Sequence, residues 1–191
     1  MKYSINVIPV DTTQENLTAA RMLRNSKIEI SFSKDKYRID THMGDISQSS
    51  IIYNHPLDEI LALSSNSTNL LAQKFSIDDA KFKQPVAGNA QVTEYRDSTK
   101  KILGFDCYYV ELIDAGSFSS YWCTEQIDFE FHGQSIVNPS IPGFPMWIRR
   151  EENGFEFTYI ASNFVDHVSN EAVVFSTTIP DGYKDLTPSA H

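Results

Sequence analysis

Apolar and polar residues alternate with a period of two in segment after segment of this chain, and turn-forming residues separate the segments. That period belongs to strands with one face buried, so it confines the chain to β architectures. Tyr3, Ile5 and Val7 open the pattern, which stops near Pro9 because proline cannot donate to a ladder. Ile28, Ile30 and Phe32 repeat it, and so do Tyr37, Ile39 and Thr41 after a Ser33-Lys34-Asp35-Lys36 turn. Residues 49–53 and 59–63 flank Asn54-His55-Pro56-Leu57-Asp58 as a second hairpin. Further strands are predicted at 70–75, 91–95, 107–112, 118–124, 146–150, 155–164 and 171–178.

One helix is predicted within residues 11–25. Thr12 or Thr13 can cap it, Glu15 sits in its first turn, and Leu17, Ala20, Met22 and Leu23 supply part of an apolar face. The polar segment 77–89 reads as an irregular connection, not a domain boundary. The expected fold is therefore mainly β with one minor helix: a single domain over residues 1–191, built as one curved antiparallel sheet that forms an unclosed half-barrel. Many twisted strands do not stay flat.

The 191 residues are enough to bury about 70% of the unfolded surface. With 41% hydrophobic and 12% aromatic residues, disorder is excluded. Sixteen Lys and Arg against twenty-five Asp and Glu give a net charge of −9, the wrong sign for a phosphate-backbone binder, so no nucleic-acid partner is expected. Apolar runs are only a few residues long, against the ~20 needed for a spanning helix, and the chain is not expected to be transmembrane. Met1 stands directly before a strand-like segment, the pattern of a mature chain whose signal peptide has been removed.

The clearest hairpin joins residues 107–112 to 118–124 around Asp114-Ala115-Gly116. If these three form the loop, with Gly116 in the left-handed position, Cys107 faces Cys123 and a cross-strand disulfide is expected. The alternative is a pair of buried reduced thiols. The same register pairs Tyr108 with Trp122 and Leu112 with Phe118 on one apolar face, directed at either the core or a ligand.

Catalytic signatures are missing. His42, His55, His132, His167 and His191 lack metal-ligand spacing, and Asp166-His167 has no Gly-x-Ser-x-Gly elbow to serve. Asp78-Asp79 and Glu151-Glu152 read as solvated pairs, and there is no glycine-rich nucleotide loop. Neither an enzyme, a cofactor nor a metal is expected.

Lys100-Lys101-Ile102-Leu103-Gly104-Phe105-Asp106-Cys107, followed by Tyr121-Trp122-Cys123-Thr124, resembles the Lys-x-Ile-x-Gly-Tyr/Phe-x-Cys and Trp-x-Thr signature of secreted bacterial domains related to the GLPGLI proteins. Lys36-Tyr37-Arg38-Ile39-Asp40, Ile141-Pro142-Gly143-Phe144-Pro145 and the closing Phe175 to Lys184 stretch extend that resemblance. It implies a lipoprotein-carrier-like half-barrel, a periplasmic or secreted setting, and a concavity that accepts a lipid or lipoprotein acyl chain.

Two functions follow. The first is a non-catalytic module holding an apolar ligand on the concave face through Tyr108, Leu112, Phe118, Trp122, Phe155, Phe157 and Tyr159. The second is a cell-envelope interaction module that uses a sheet edge or the 138–145 loop, with Ile141 and Phe144 as its apolar contacts.

Overall fold

The computed structural model describes residues 1–78, 90–129 and 138–188. Most of the 77–89 connection, with Asp79, lies outside the described residues, as do His132 and His191. In chain order the elements are β1 (Lys2–Pro9), α1 (Gln14–Met22), β2 (Lys27–Phe32), β3 (Lys36–Met43), β4 (Ser47–Asn54), β5 (Glu59–Asn66) and β6 (Leu70–Ser76). The second half adds β7 (Gln91–Ile102), β8 (Phe105–Asp114), β9 (Ser117–Thr124), β10 (Phe144–Glu152), β11 (Phe155–Asn163), α2 (Glu171–Val174) and β12 (Lys184–Asp185).

All twelve strands form one unclosed sheet in the order β12-β6-β5-β4-β3-β2-β1-β11-β10-β9-β8-β7. Two meanders, β1 to β6 and β7 to β11, are joined where β1 pairs antiparallel with β11. Among the described residues every pairing is antiparallel except β12 with β6, which makes the sheet mixed at one edge. The sheet curls. Phe32 of β2 and Phe144 of β10 are three strand spacings apart along it, about 14 Å if it were flat, yet their rings lie 5.7 Å apart. Phe129 packs at 4.5 Å from Phe32 inside the same curve.

The inner face holds the main core: Tyr3, Ile5, Ile30, Tyr37, Val110, Ile148 and their buried neighbours. Tyr3 is fully enclosed, and its hydroxyl donates to the Pro145 carbonyl at 2.6 Å, tying β1 to β10 across β11.

The helix forms where expected. Thr13 caps it, accepting from the Asn16 amide at 3.3 Å. None of its residues is buried and Met22 is exposed, so α1 bridges β1 and β2 while adding no side chain to the buried core. It sits close against the β3–β4 turn: Gly44 has φ +54°, and a Cβ there would meet the Met22 carbonyl at 1.9 Å.

The strand expected at 171–178 is not formed. Asn170, at φ +55°, opens the short α2, after which Phe175 and Thr177 are buried in an irregular segment. Asn54 Nδ2 donates to the Phe175 carbonyl, and Thr177 Oγ1 donates to Glu59, so side chains of β4 and β5 take the bonds a ladder would have taken. Continuing, this tail lays Ile179 and Tyr183 over a second cluster, Ile52, Leu61, Leu63 and Ala72, on the outer face of β4 to β6. β12 then pairs with β6.

Candidate functional site

The β8–β9 hairpin turns on two residues, not three. Asp114 pairs with Ser117, and Ala115 and Gly116 both take positive φ, +49° and +82°, the conformation whose twist suits a two-residue turn. The register is thereby moved by one residue from that expected, and a one-residue slip changes which side chains share a face. Tyr108 stands opposite Cys123, Tyr109 opposite Trp122, Leu112 opposite Ser119 and Ile113 opposite Phe118. Cys107 and Cys123 consequently project from opposite faces, and both are free, buried thiols. The expected disulfide is thus corrected by the register itself.

The seven expected ligand-binding residues separate along the same line. Tyr108, Leu112 and Tyr159 are buried on the inner face within the main core. Phe157 is half-buried against that core, with the Phe155 ring 6.3 Å away. Phe118 and Trp122 belong to the outer face, with Phe118 51% exposed. Clefts of about 640 and 520 Å³ are lined by residues such as Ile30, Phe32 and Val165, and Phe118 and Arg150, and not by Tyr108, Leu112 or Tyr159. The 138–145 loop is no display either. Ile141 and Phe144 are buried, and Tyr108 donates its hydroxyl to the Pro142 carbonyl at 3.3 Å.

What the register does build is a row on the outer face. Tyr95 of β7 pairs with Tyr109 of β8, Tyr109 with Trp122 of β9, Trp122 with Trp147 of β10, and Trp147 with Ile160 of β11. Four aromatic side chains from four adjacent strands stand in one line perpendicular to the strands. Tyr95 and Tyr109 have ring centres 5.7 Å apart, and Tyr109 and Trp122 5.2 Å. Tyr95 and Ile160 are each 41% exposed, and the three rings between them are half-buried.

Polar groups border the row. On one side runs a line of Glu111, Ser120, Arg149 and Thr158. Tyr95 donates its hydroxyl to Glu111 at 2.9 Å, and that bond holds the phenol above its ordinary pKa. Arg149 Nε donates to Glu156 at 2.8 Å, which raises the guanidinium's pKa still further. On the other side, Lys100 places Nζ 4.1 Å from the Trp122 ring centre and 5.5 Å from that of Trp147, a cation seated on two indoles. Burial among these rings lowers its pKa.

Among the described residues, no group of His, Cys, Asp and Glu side chains could hold a metal ion. Asp166 and His167 are an exposed pair at 3.1 Å. Among the described residues, no helix is long and apolar enough to cross a membrane.

Neither a protein-family model nor a curated protein matches the chain. A solved structure of PNGF-II is similar to it, with a TM-score of 0.51 and 12% identity, over 99% of this chain and 31% of that one. At that identity the likeness is one of fold, and the chain spans under a third of that protein's length.

Proposed function

We propose that this domain is a non-catalytic binding module that holds its ligand against the outer face of β7 to β11, on the row Tyr95, Tyr109, Trp122 and Trp147. One contrast carries the reading. The tail covers the outer face of β4 to β6 with Ile179 and Tyr183, while the aromatic row on the outer face of the other half keeps Tyr95 and Ile160 substantially in water. A line of large apolar side chains left partly open to water is typical of a recognition surface. An acyl chain on the inner face has weaker support, since Tyr108, Leu112 and Tyr159 are already buried within the main core. The module acts in the secreted or periplasmic setting that the GLPGLI resemblance implies.

The test uses anilinonaphthalene sulfonate as the probe. Both tryptophans of the chain lie in the row, so a probe bound there accepts energy from them. Saturable, tryptophan-sensitised emission is expected, weakened about tenfold or more by Tyr109→Ser and unchanged by Phe155→Ser on the inner face. If Phe155→Ser abolishes binding and Tyr109→Ser leaves it intact, the inner face is the binding surface.

A further inference from the structure

Resting on the outer-face reading above, we infer that the ligand is a neutral, extended, β-linked glycan chain lying across the strands along the aromatic row. Three features of the row select this class.

The first is spacing. Rings on successive strands follow the ~4.8 Å strand separation: Tyr95 and Tyr109 have centres 5.7 Å apart with planes tilted by 39°, and Tyr109 and Trp122 5.2 Å apart tilted by 50°. Pyranose units of an extended β-linked chain advance by a closely similar distance, so successive sugars keep step with successive side chains of the row. An α-linked, coiling chain cannot stay in line with four rings.

The second is the pattern of polarity. Pyranoses are apolar on their faces and polar around their edges. Here an apolar stripe is bordered on one side by Glu111 and Arg149 and on the other by Lys100, which together offer acceptors and donors to sugar hydroxyls. Lys100 covers the indole faces in the free protein. A long flexible side chain can swing away, and its ammonium then donates to a hydroxyl of the sugar that replaces it.

The third is openness and charge. Among the described residues the row is a face and not a tunnel, so an acyl chain lying on it would keep one whole side in water, whereas a glycan's outward hydroxyls are satisfied there. The chain's net charge of −9 disfavours a polyanionic saccharide.

The experiment follows tryptophan emission during titration with cellohexaose, xylohexaose and chitohexaose, with cellobiose and maltohexaose as controls. At least one β-linked hexasaccharide should bind saturably and about tenfold or more tighter than cellobiose, because a disaccharide covers only part of the row. Maltohexaose should not bind. Tyr109→Ala, or Tyr95→Ala if the first variant is misfolded by circular dichroism, should weaken binding about tenfold or more. If no β-linked hexasaccharide binds while the naphthalene probe still depends on Tyr109, the glycan class is wrong and the surface stands. If a β-linked hexasaccharide binds the parent and both tyrosine variants equally well, the aromatic row is not its site and both the outer-face reading and this inference fail.

Discussion

Tyr109 and Trp122 face each other directly across β8 and β9, their ring centres 5.2 Å apart, because the hairpin between them closes on Ala115 and Gly116 alone. That register separates Leu112 from Phe118. Leu112 is 3% exposed in the core and Phe118 is 51% exposed on the outer face. A three-residue loop would have set them side by side.

The register therefore predicts unequal costs for the same chemical change. Leu112→Asp buries a carboxylate among apolar side chains and should cost ~3 kcal/mol or more, enough to unfold a marginal domain. Phe118→Asp should stay within about 0.5–1 kcal/mol of the parent. Urea unfolding of both variants measures this, and equal large losses would contradict the pairing.

The turn predicts a stabilising change. Ala115 holds φ +49°, a left-handed conformation that costs a residue with a Cβ roughly 1 kcal/mol and that asparagine tolerates better. Ala115→Asn should raise stability by ~0.5–1 kcal/mol, and Gly116→Val, at φ +82°, should lower it by more than ~1 kcal/mol. A lower urea midpoint for Ala115→Asn would show that the turn is not of this type.

Most strands were legible because alternation survives wherever one face is buried, and the helix was legible from Thr13 and Glu15. The faces of β8 and β9 were not. Alanine seldom takes positive φ, so the local signal at Asp114-Ala115-Gly116 favoured a loop with glycine alone in the left-handed position. With the register displaced, Trp122 seemed to share a face with Tyr108. Tyr95 and Trp147 gave no separate signal, since a row across strands exists only once four registers are known. The 171–178 segment reads as a strand from Ala172, Val173 and Val174, but Val173 is 64% exposed and it is Phe175 that reaches the core. The unclosed mainly β sheet needed none of these details.

Alkaline pH should destabilise the domain. Burial pushes the Cys107 and Cys123 thiols up, and pushes the Tyr108 phenol up to about 12 against the pull of the Arg96 guanidinium. Tyr3, Tyr37, Tyr121 and Tyr159 are raised by burial as well. Between an unfolded thiol's value near ~8.5 and its raised folded value, the folded state binds more protons, so stability present below about pH 8.5 is lost as the pH climbs. The tyrosines continue the loss above about pH 10. Urea midpoints should fall steadily from pH 8 upward, and a midpoint that is flat or rising to pH 10.5 would contradict the buried placement of these groups.

Both thiols should be silent in the folded protein. At pH 8, dithionitrobenzoate should react with neither within minutes, and after denaturation without a reductant it should titrate both. An intact mass two hydrogens lighter before reduction would mean that Cys107 and Cys123 are bonded and that the β8–β9 register is wrong.

The central claim is that the aromatic row stands on a solvent-facing, ligand-accepting surface, and both tryptophans of the chain report on it. Acrylamide quenching of tryptophan emission from the folded protein, with and without saturating β-linked hexasaccharide, addresses that claim most directly. The account predicts measurable quenching in the free protein and a clear fall in the quenching constant when the ligand covers the row. Emission that acrylamide cannot reach in the free protein would place Trp122 and Trp147 in the core and contradict it.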